Sequence, residues 1–143
     1  MSLLQKAEEI ARDAHAGQLD KAGQPYINHP IAVSEAMPTV KLKIIALLHD
    51  VVEDNSEYTF KRLRSEGFGD EIITPLKYLT RGKNEDYEDY IHRVGENESA
   101  VTVKLADLKH NSDRTRIPNP SIDDLMRYAK YERAIEYLET MKF

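Results

Sequence analysis

The segment His49-Asp50-Val51-Val52-Glu53-Asp54 sets one imidazole beside three carboxylates within a few positions. On a helix, Asp50 and Asp54 fall one turn apart, as do His49 and Glu53, and Asp50 and Glu53 occupy neighbouring rows. The polar groups then form a single stripe. That stripe lies in the most apolar stretch of the chain, among Ile44, Ile45, Leu47, Leu48, Val51 and Val52. Burying such charges without a partner is costly, and a metal ion with its water is a natural partner. Two further residues have matching chemistry. His29 closes a Gly/Pro-rich loop, and Asp107 lies inside the apolar run Val101, Val103, Leu105, Ala106, Leu108. Two imidazoles and two carboxylates suit Mn²⁺, Fe²⁺ or Zn²⁺ and leave positions for water and a phosphate oxygen. Spacing alone does not choose among these ions.

Ordinary readings stand beside these. An isolated histidine is more often a satisfied core or surface residue than a ligand, and His15, His92 and His110 carry that reading. Lys21 reads equally as a solvated loop lysine, and Asn111 as a helix-surface or capping residue. Tyr87 and Tyr90 read as helix packing.

The elements that must position these groups follow from apolar spacing and breakers. Leu3, Leu4, Ala7, Ile10, Ala11 and Ala14 predict a first helix over 3–16. Two glycines and two prolines between Gly17 and Pro30 predict an ordered loop, followed by a short helix from Ile31 to Met37. Lys41–Asp54 reads as one central helix, apolar nearly all round. Thr59 is placed to cap the next helix, which Gly67 and Gly69 end. Further helices are expected at 70–79, 86–95 and 98–114. Ser121 with Asp124 forms an acidic variant of a capping box at the start of a last helix running to Met141. No strand alternation, repeat or linker is visible. The expectation is an all-α, compact multi-helix fold over residues 1–143 as one domain.

Composition narrows the function. With 143 residues, 41% of them hydrophobic, the chain can bury its own core. Charged residues of both signs make up 31%, with a net charge of -5 and no basic stripe or interleaved aromatics, which argues against a nucleic-acid partner. There is no cysteine, so disulfides and thiolate ligands are excluded. No apolar run approaches the about 20 residues of a membrane span and no signal peptide is visible, so the cytoplasm is the expected location. Oligomeric state is not legible.

Four ordered motifs carry a resemblance. His15-x-Gly17-Gln18, then Gly23-Gln24-Pro25-Tyr26-Ile27-Asn28-His29-Pro30, then Ala46-Leu47-Leu48-His49-Asp50-Val51-Val52-Glu53-Asp54, then Lys104-Leu105-Ala106-Asp107 together resemble the HD-domain phosphohydrolases. Within that superfamily they are most similar to the hydrolase domain of the Rel/SpoT enzymes and its small stand-alone relatives. The resemblance runs from about residue 4 to the C-terminal helix. It implies the HD-domain fold and removal of the 3′-diphosphate of guanosine tetra- or pentaphosphate, giving pyrophosphate and GDP or GTP. It implies Mn²⁺ as cofactor, with Fe²⁺, Zn²⁺ or Mg²⁺ as alternatives, held by His29, His49, Asp50 and Asp107. Glu53 and Asp54 match the acidic pair associated with the catalytic water and proton transfer. Lys21, Tyr26 and Asn111 fall where the family surrounds the nucleotide, while Lys109 and Arg114 are further candidates for offsetting phosphate charge.

The chain also departs from the family pattern. The loop arginine before Lys21 is Asp20, and two arginine positions after Asp107 are Leu108 and Asp113, with Arg114 and Arg116 close enough to compensate. The expected alternative is therefore a hydrolase of the same fold acting on another nucleotide or phosphorylated cofactor. A nucleotide-binding protein without turnover is a more distant reading, since no ligand and neither Glu53 nor Asp54 is lost.

Overall fold

The computed structural model describes residues 1–143. The chain forms α1 (Leu3–Ala14), α2 (Asn28–Glu35), α3 (Val40–Leu48), α4 (Val51–Asp54), α5 (Phe60–Ser65), α6 (Asp70–Leu79), α7 (Tyr87–Val94), α8 (Glu98–Asn111) and α9 (Ile122–Glu139), with a 3-10 turn at Arg114–Arg116. The only β pairing is an isolated bridge between Leu19 and Pro25. The all-α expectation holds.

Short polar side chains start the helices. Thr39, Thr59 and Asn97 each accept an amide from the first turn of α3, α5 and α8, satisfying a donor that has no partner inside the helix. The acidic capping box forms as expected: Ser121 Oγ accepts from the Asp124 amide, and the Asp124 carboxylate accepts from the Ser121 amide. Gly67 ends α5 at φ +107°, where the Phe68 amide reaches back to the Leu63 carbonyl and both side chains enter the core. That is a Schellman stop, and a left-handed residue is cheapest as glycine.

Three boundaries differ by three residues or more from those read off the sequence, while α1, α2 and α9 end two residues early. The central helix does not run through to Asp54; it breaks at His49–Asp50 and resumes as the single turn α4. His49 Nδ1 takes the Ala46 carbonyl, the acceptor that the Asp50 amide would need to continue the helix. The short second helix starts at Asn28 rather than Ile31, so His29 lies in a helical first turn and not at a loop end. The eighth helix stops at Asn111 rather than 114. Asp113 there accepts from the Thr115 amide, and Arg116 folds back onto the His110 carbonyl.

Packing is organised around α3, which contacts α1, α2, α6 and α8. Ile44 to Leu48 are all buried, as the all-round apolar pattern requires. Helix α2 crosses both α3 and α8, which brings the His29, His49 and Asp107 positions to one point. No helix is long and apolar enough to cross a membrane.

Candidate metal centre and active site

His29 projects from the first turn of α2, His49 from the end of α3, Asp50 from the break, and Asp107 from α8 one turn before its end. One ligand atom from each lies within 4.8 Å of all the others. His29 Nε2 stands 2.6 Å from Asp107 Oδ1, and His49 Nε2 stands 3.1 Å from Asp50 Oδ2 and 3.3 Å from Asp107 Oδ1. His29, His49 and Asp107 are almost fully buried.

The donor set fits a divalent ion. A ligating imidazole needs one nitrogen free and the other tied by a hydrogen bond that sets the tautomer. His49 Nδ1 is tied to the Ala46 carbonyl at 2.5 Å, and His29 Nδ1 lies 2.6 Å from His110 Nδ1. Both rings therefore present Nε2 to the cluster. The carboxylates are supported as well: Lys104 Nζ pairs with Asp107 Oδ2 at 2.9 Å, Asn111 donates to Asp107 Oδ1 at 3.3 Å, and the Tyr26 hydroxyl donates to Asp50. The cluster of His and Asp can hold a divalent metal.

The electrostatics follow from this crowding. Burial penalises the Asp107 carboxylate, but Lys104, His29 and His49 outweigh it and hold the group well below the usual carboxylate range. Burial likewise opposes the charged forms of Lys104 and His49. Asp107 holds the Lys104 ammonium well above its ordinary value, and Asp50 with Asp107 does the same for His49. Asp50 is held down to about 2 against its own burial, chiefly by His49. Burial and the Asp50 charge push Tyr26 far up, so its phenol remains a donor. Burial, His29 and Arg116 lower His110 to about 4, which keeps it neutral.

Glu53 and Asp54 lie on the single turn α4 after Asp50, both exposed to solvent and neither among the residues lining the cleft beside the cluster. Partial desolvation and the neighbouring Asp50 charge raise both carboxyl groups. Asp54 is oriented from outside its helix: His15 Nδ1 lies 2.9 Å from Gln18 Oε1, and Gln18 Nε2 donates to Asp54 Oδ2 at 3.2 Å. His15 thus shapes the second layer of the site, and its Nε2 is buried without a partner.

A cleft of about 380 Å³ opens beside the cluster. Gln18, Tyr26 and Asn111 line it and also touch Asp54, Asp50 and Asp107, so cleft and cluster are continuous. Lys21 lines the cleft as well. Two other expected residues do not. Lys109 is exposed on α8 away from the cleft lining, and Arg114 is exposed, pairing with Glu132 at 3.2 Å over the Tyr128 ring.

Sequence reasoning gave no site role to several residues now in place. Lys104 carried a signal, standing three positions before Asp107 in the same motif. Gln18 stood in the first motif, but its partner Asp54 is 36 positions away. Arg127 and Tyr131, one turn apart on α9, face the cleft with nothing in their spacing to separate them from an ordinary helix surface.

No family model matches the chain. Individual proteins do. The chain is 38% identical over 117 residues to a guanosine-3′,5′-bis(diphosphate) 3′-pyrophosphohydrolase of Haemophilus influenzae, covering 71% of the chain and 17% of that protein. It is 35% identical over 133 residues to a probable GTP pyrophosphokinase of Mycobacterium leprae, covering 84% of the chain and 17% of that protein. It is 34% identical over 121 residues to the bifunctional (p)ppGpp synthase/hydrolase SpoT of Escherichia coli K12, covering 76% of the chain and again 17% of the relative. The chain thus spans a small part of these relatives' length. Among solved structures, a metazoan ortholog of SpoT described as hydrolysing ppGpp superposes with a TM-score of 0.77 at 23% identity, over 99% of this chain and 88% of the other. With three of the four motifs meeting in one buried cluster and the first reaching its edge through Gln18 and Asp54, the chain belongs to the HD-domain family of Rel/SpoT hydrolase type.

Proposed function

We propose that the chain is a metal-dependent phosphohydrolase that removes pyrophosphate from the 3′ position of guanosine tetra- or pentaphosphate, leaving GDP or GTP. The observation that carries this reading is the buried set His29, His49, Asp50 and Asp107, with its donor atoms within 4.8 Å of one another beside a cleft that shares side chains with it. Those four residues would hold the ion, for which Mn²⁺ is our choice. A bound divalent ion supplies Lewis acidity, lowering the pKa of water and drawing charge from a phosphoryl oxygen.

The chain's own residues do the rest. Glu53 accepts the proton of the attacking water; its raised pKa brings it toward the range where a base is effective near neutrality. Asp54, fixed by Gln18, orients that water or carries a proton toward the leaving 3′ oxygen. Water adds to phosphorus as the bond to the 3′ oxygen breaks, and that oxygen leaves with a proton. Lys21, Arg116 and Arg127 border the cleft and offset phosphate charge where it develops.

A second reading keeps the reaction and changes the nucleotide. It is favoured by Asp20 and Asp113, two carboxylates in the wall of the cleft. Steady-state kinetics on Mn²⁺-loaded protein separates the two readings. Guanosine 3′,5′-bis(diphosphate) should give a kcat/KM at least about 100-fold above a phosphorylated nicotinamide cofactor or a nucleoside monophosphate, a preference worth about 2.7 kcal/mol. The reverse order would replace guanosine tetraphosphate as the substrate.

A further inference from the structure

Gln18 lines the substrate cleft and reaches Asp54, 36 positions along the chain. Its backbone is fixed on both sides. Gly17 adopts the left-handed region at φ +77°, the Gln18 amide closes onto the His15 carbonyl at 3.0 Å, and the Gln18 carbonyl accepts the Tyr26 amide at 2.8 Å. The side chain is held at both ends as well. Its Oε1 lies 2.9 Å from His15 Nδ1, and its Nε2 donates to Asp54 Oδ2 at 3.2 Å. His15 is 2% exposed and does not line the cleft; its ring packs on that of Tyr26 with centroids 4.8 Å apart.

The chemistry of Asp54 decides which way the Gln18 amide faces. An ionised carboxylate offers only lone pairs, so it takes the NH₂ end and leaves the carbonyl end to His15. A carbonyl in turn needs a hydrogen, so His15 Nδ1 carries one and donates it. Each contact along His15, Gln18 and Asp54 then pairs a donor with an acceptor, whereas the reversed amide would set Oε1 against the carboxylate. The amide nitrogen has two hydrogens, and Asp54 takes one. The other makes no bond within the protein, on a side chain that borders the cleft. With the 3′-diphosphate at the His/Asp cluster, the acceptors that meet this hydrogen are phosphoryl oxygens.

We propose that Gln18 is a substrate-contacting residue, giving its second amide hydrogen to an oxygen of the 3′-diphosphate, and that His15 is the positioning residue that fixes its direction. The proposal rests on the reading of the cleft as the site of guanosine tetraphosphate hydrolysis.

The test is steady-state kinetics of the Mn²⁺-loaded variants on guanosine tetraphosphate, with histidine ¹⁵N spectra of the metal-free wild type. Gln18→Leu should lower kcat/KM by roughly 10- to 100-fold, the loss expected for one donor to a charged oxygen. His15→Leu should lower it by less, and His15→Asn, whose amide nitrogen takes the place of Nδ1, should recover most of that loss. In a Gln18→Leu background His15→Leu should cost nothing further, because it acts through the amide already removed. Mn²⁺ affinity should stay that of wild type throughout, and the spectra should show the His15 hydrogen on Nδ1. Wild-type kcat/KM in Gln18→Leu, additive losses in the double variant, or a His15 ring bare at Nδ1 would each overturn the proposal. No turnover by wild type would overturn the reading on which it rests, and the ¹⁵N spectra would still decide the direction of the amide.

Discussion

His49 shows how one side chain serves fold and chemistry together. Its Nδ1 takes the Ala46 carbonyl, which stops α3 and turns Asp50 into the cluster; its Nε2 faces Asp50 and Asp107. Those carboxylates hold the imidazole well above its ordinary value despite burial, so the metal-free ring carries a proton at neutral pH. A metal ligand must give that proton up, and ion uptake is therefore linked to proton release. Titrations of Mn²⁺ at pH 7 in buffers of different ionisation enthalpy should report release of about one proton per ion, falling as pH rises through the His49 value. No net proton exchange would show that His49 is neutral before binding. The ligand residues themselves were legible in the sequence because charged groups inside an apolar run demand a partner. His110 was not, because a histidine on α8 gains meaning only when α2 places His29 against it.

At the scale of elements, the stretch after α6 is held by one side chain. Arg93 on α7 donates to the carbonyls of Lys77, Tyr78 and Thr80, the acceptors left open at the end of α6, and pairs with Glu85 at 2.8 Å. Arg93→Ala removes these bonds together and should cost about 1–3 kcal/mol, read as a lower melting temperature in the metal-free protein. An unchanged melting curve would mean that water replaces the clasp at no cost. The Arg93 guanidinium holds Glu85 at about 2, below its unfolded value of about 4.3. A depressed folded pKa stabilises above the unfolded value and ceases to as pH falls through the folded one. The stability difference between wild type and Glu85→Gln should accordingly be present at pH 6 and vanish toward pH 2. Most helices were legible from their caps and apolar rows, as Ser121 with Asp124 shows. The break at His49–Asp50 was not, because periodicity continues across it and only a side-chain bond to the backbone stops the ladder.

Across the whole molecule, the net charge of -5 opposes an anionic substrate, and the placement of cations corrects it. Lys21, Arg116 and Arg127 line the cleft, and Lys104 stands behind Asp107. Burial lowers the Lys130 ammonium, and Arg81, Arg127, Lys104 and Lys21 lower it further, which shows how closely these charges converge. Such local fields weaken as salt shortens the screening length, so KM for guanosine tetraphosphate should rise between about 0.05 and 0.5 M salt with little change in kcat. A KM independent of salt would remove the cationic wall from substrate capture. Lys21 and Arg116 were expected near the nucleotide from the sequence, but Arg127 was not, because it lies on α9 and only the tertiary fold brings it to the same cleft. The central claim, a buried His/Asp cluster that hydrolyses the 3′-diphosphate, is tested most directly by product analysis. Metal-free protein reconstituted with Mn²⁺ and given guanosine tetraphosphate should release pyrophosphate and GDP in equal amounts, and Asp50→Ala should release neither. Equal turnover by Asp50→Ala, or no product from the reconstituted wild type, would contradict the account.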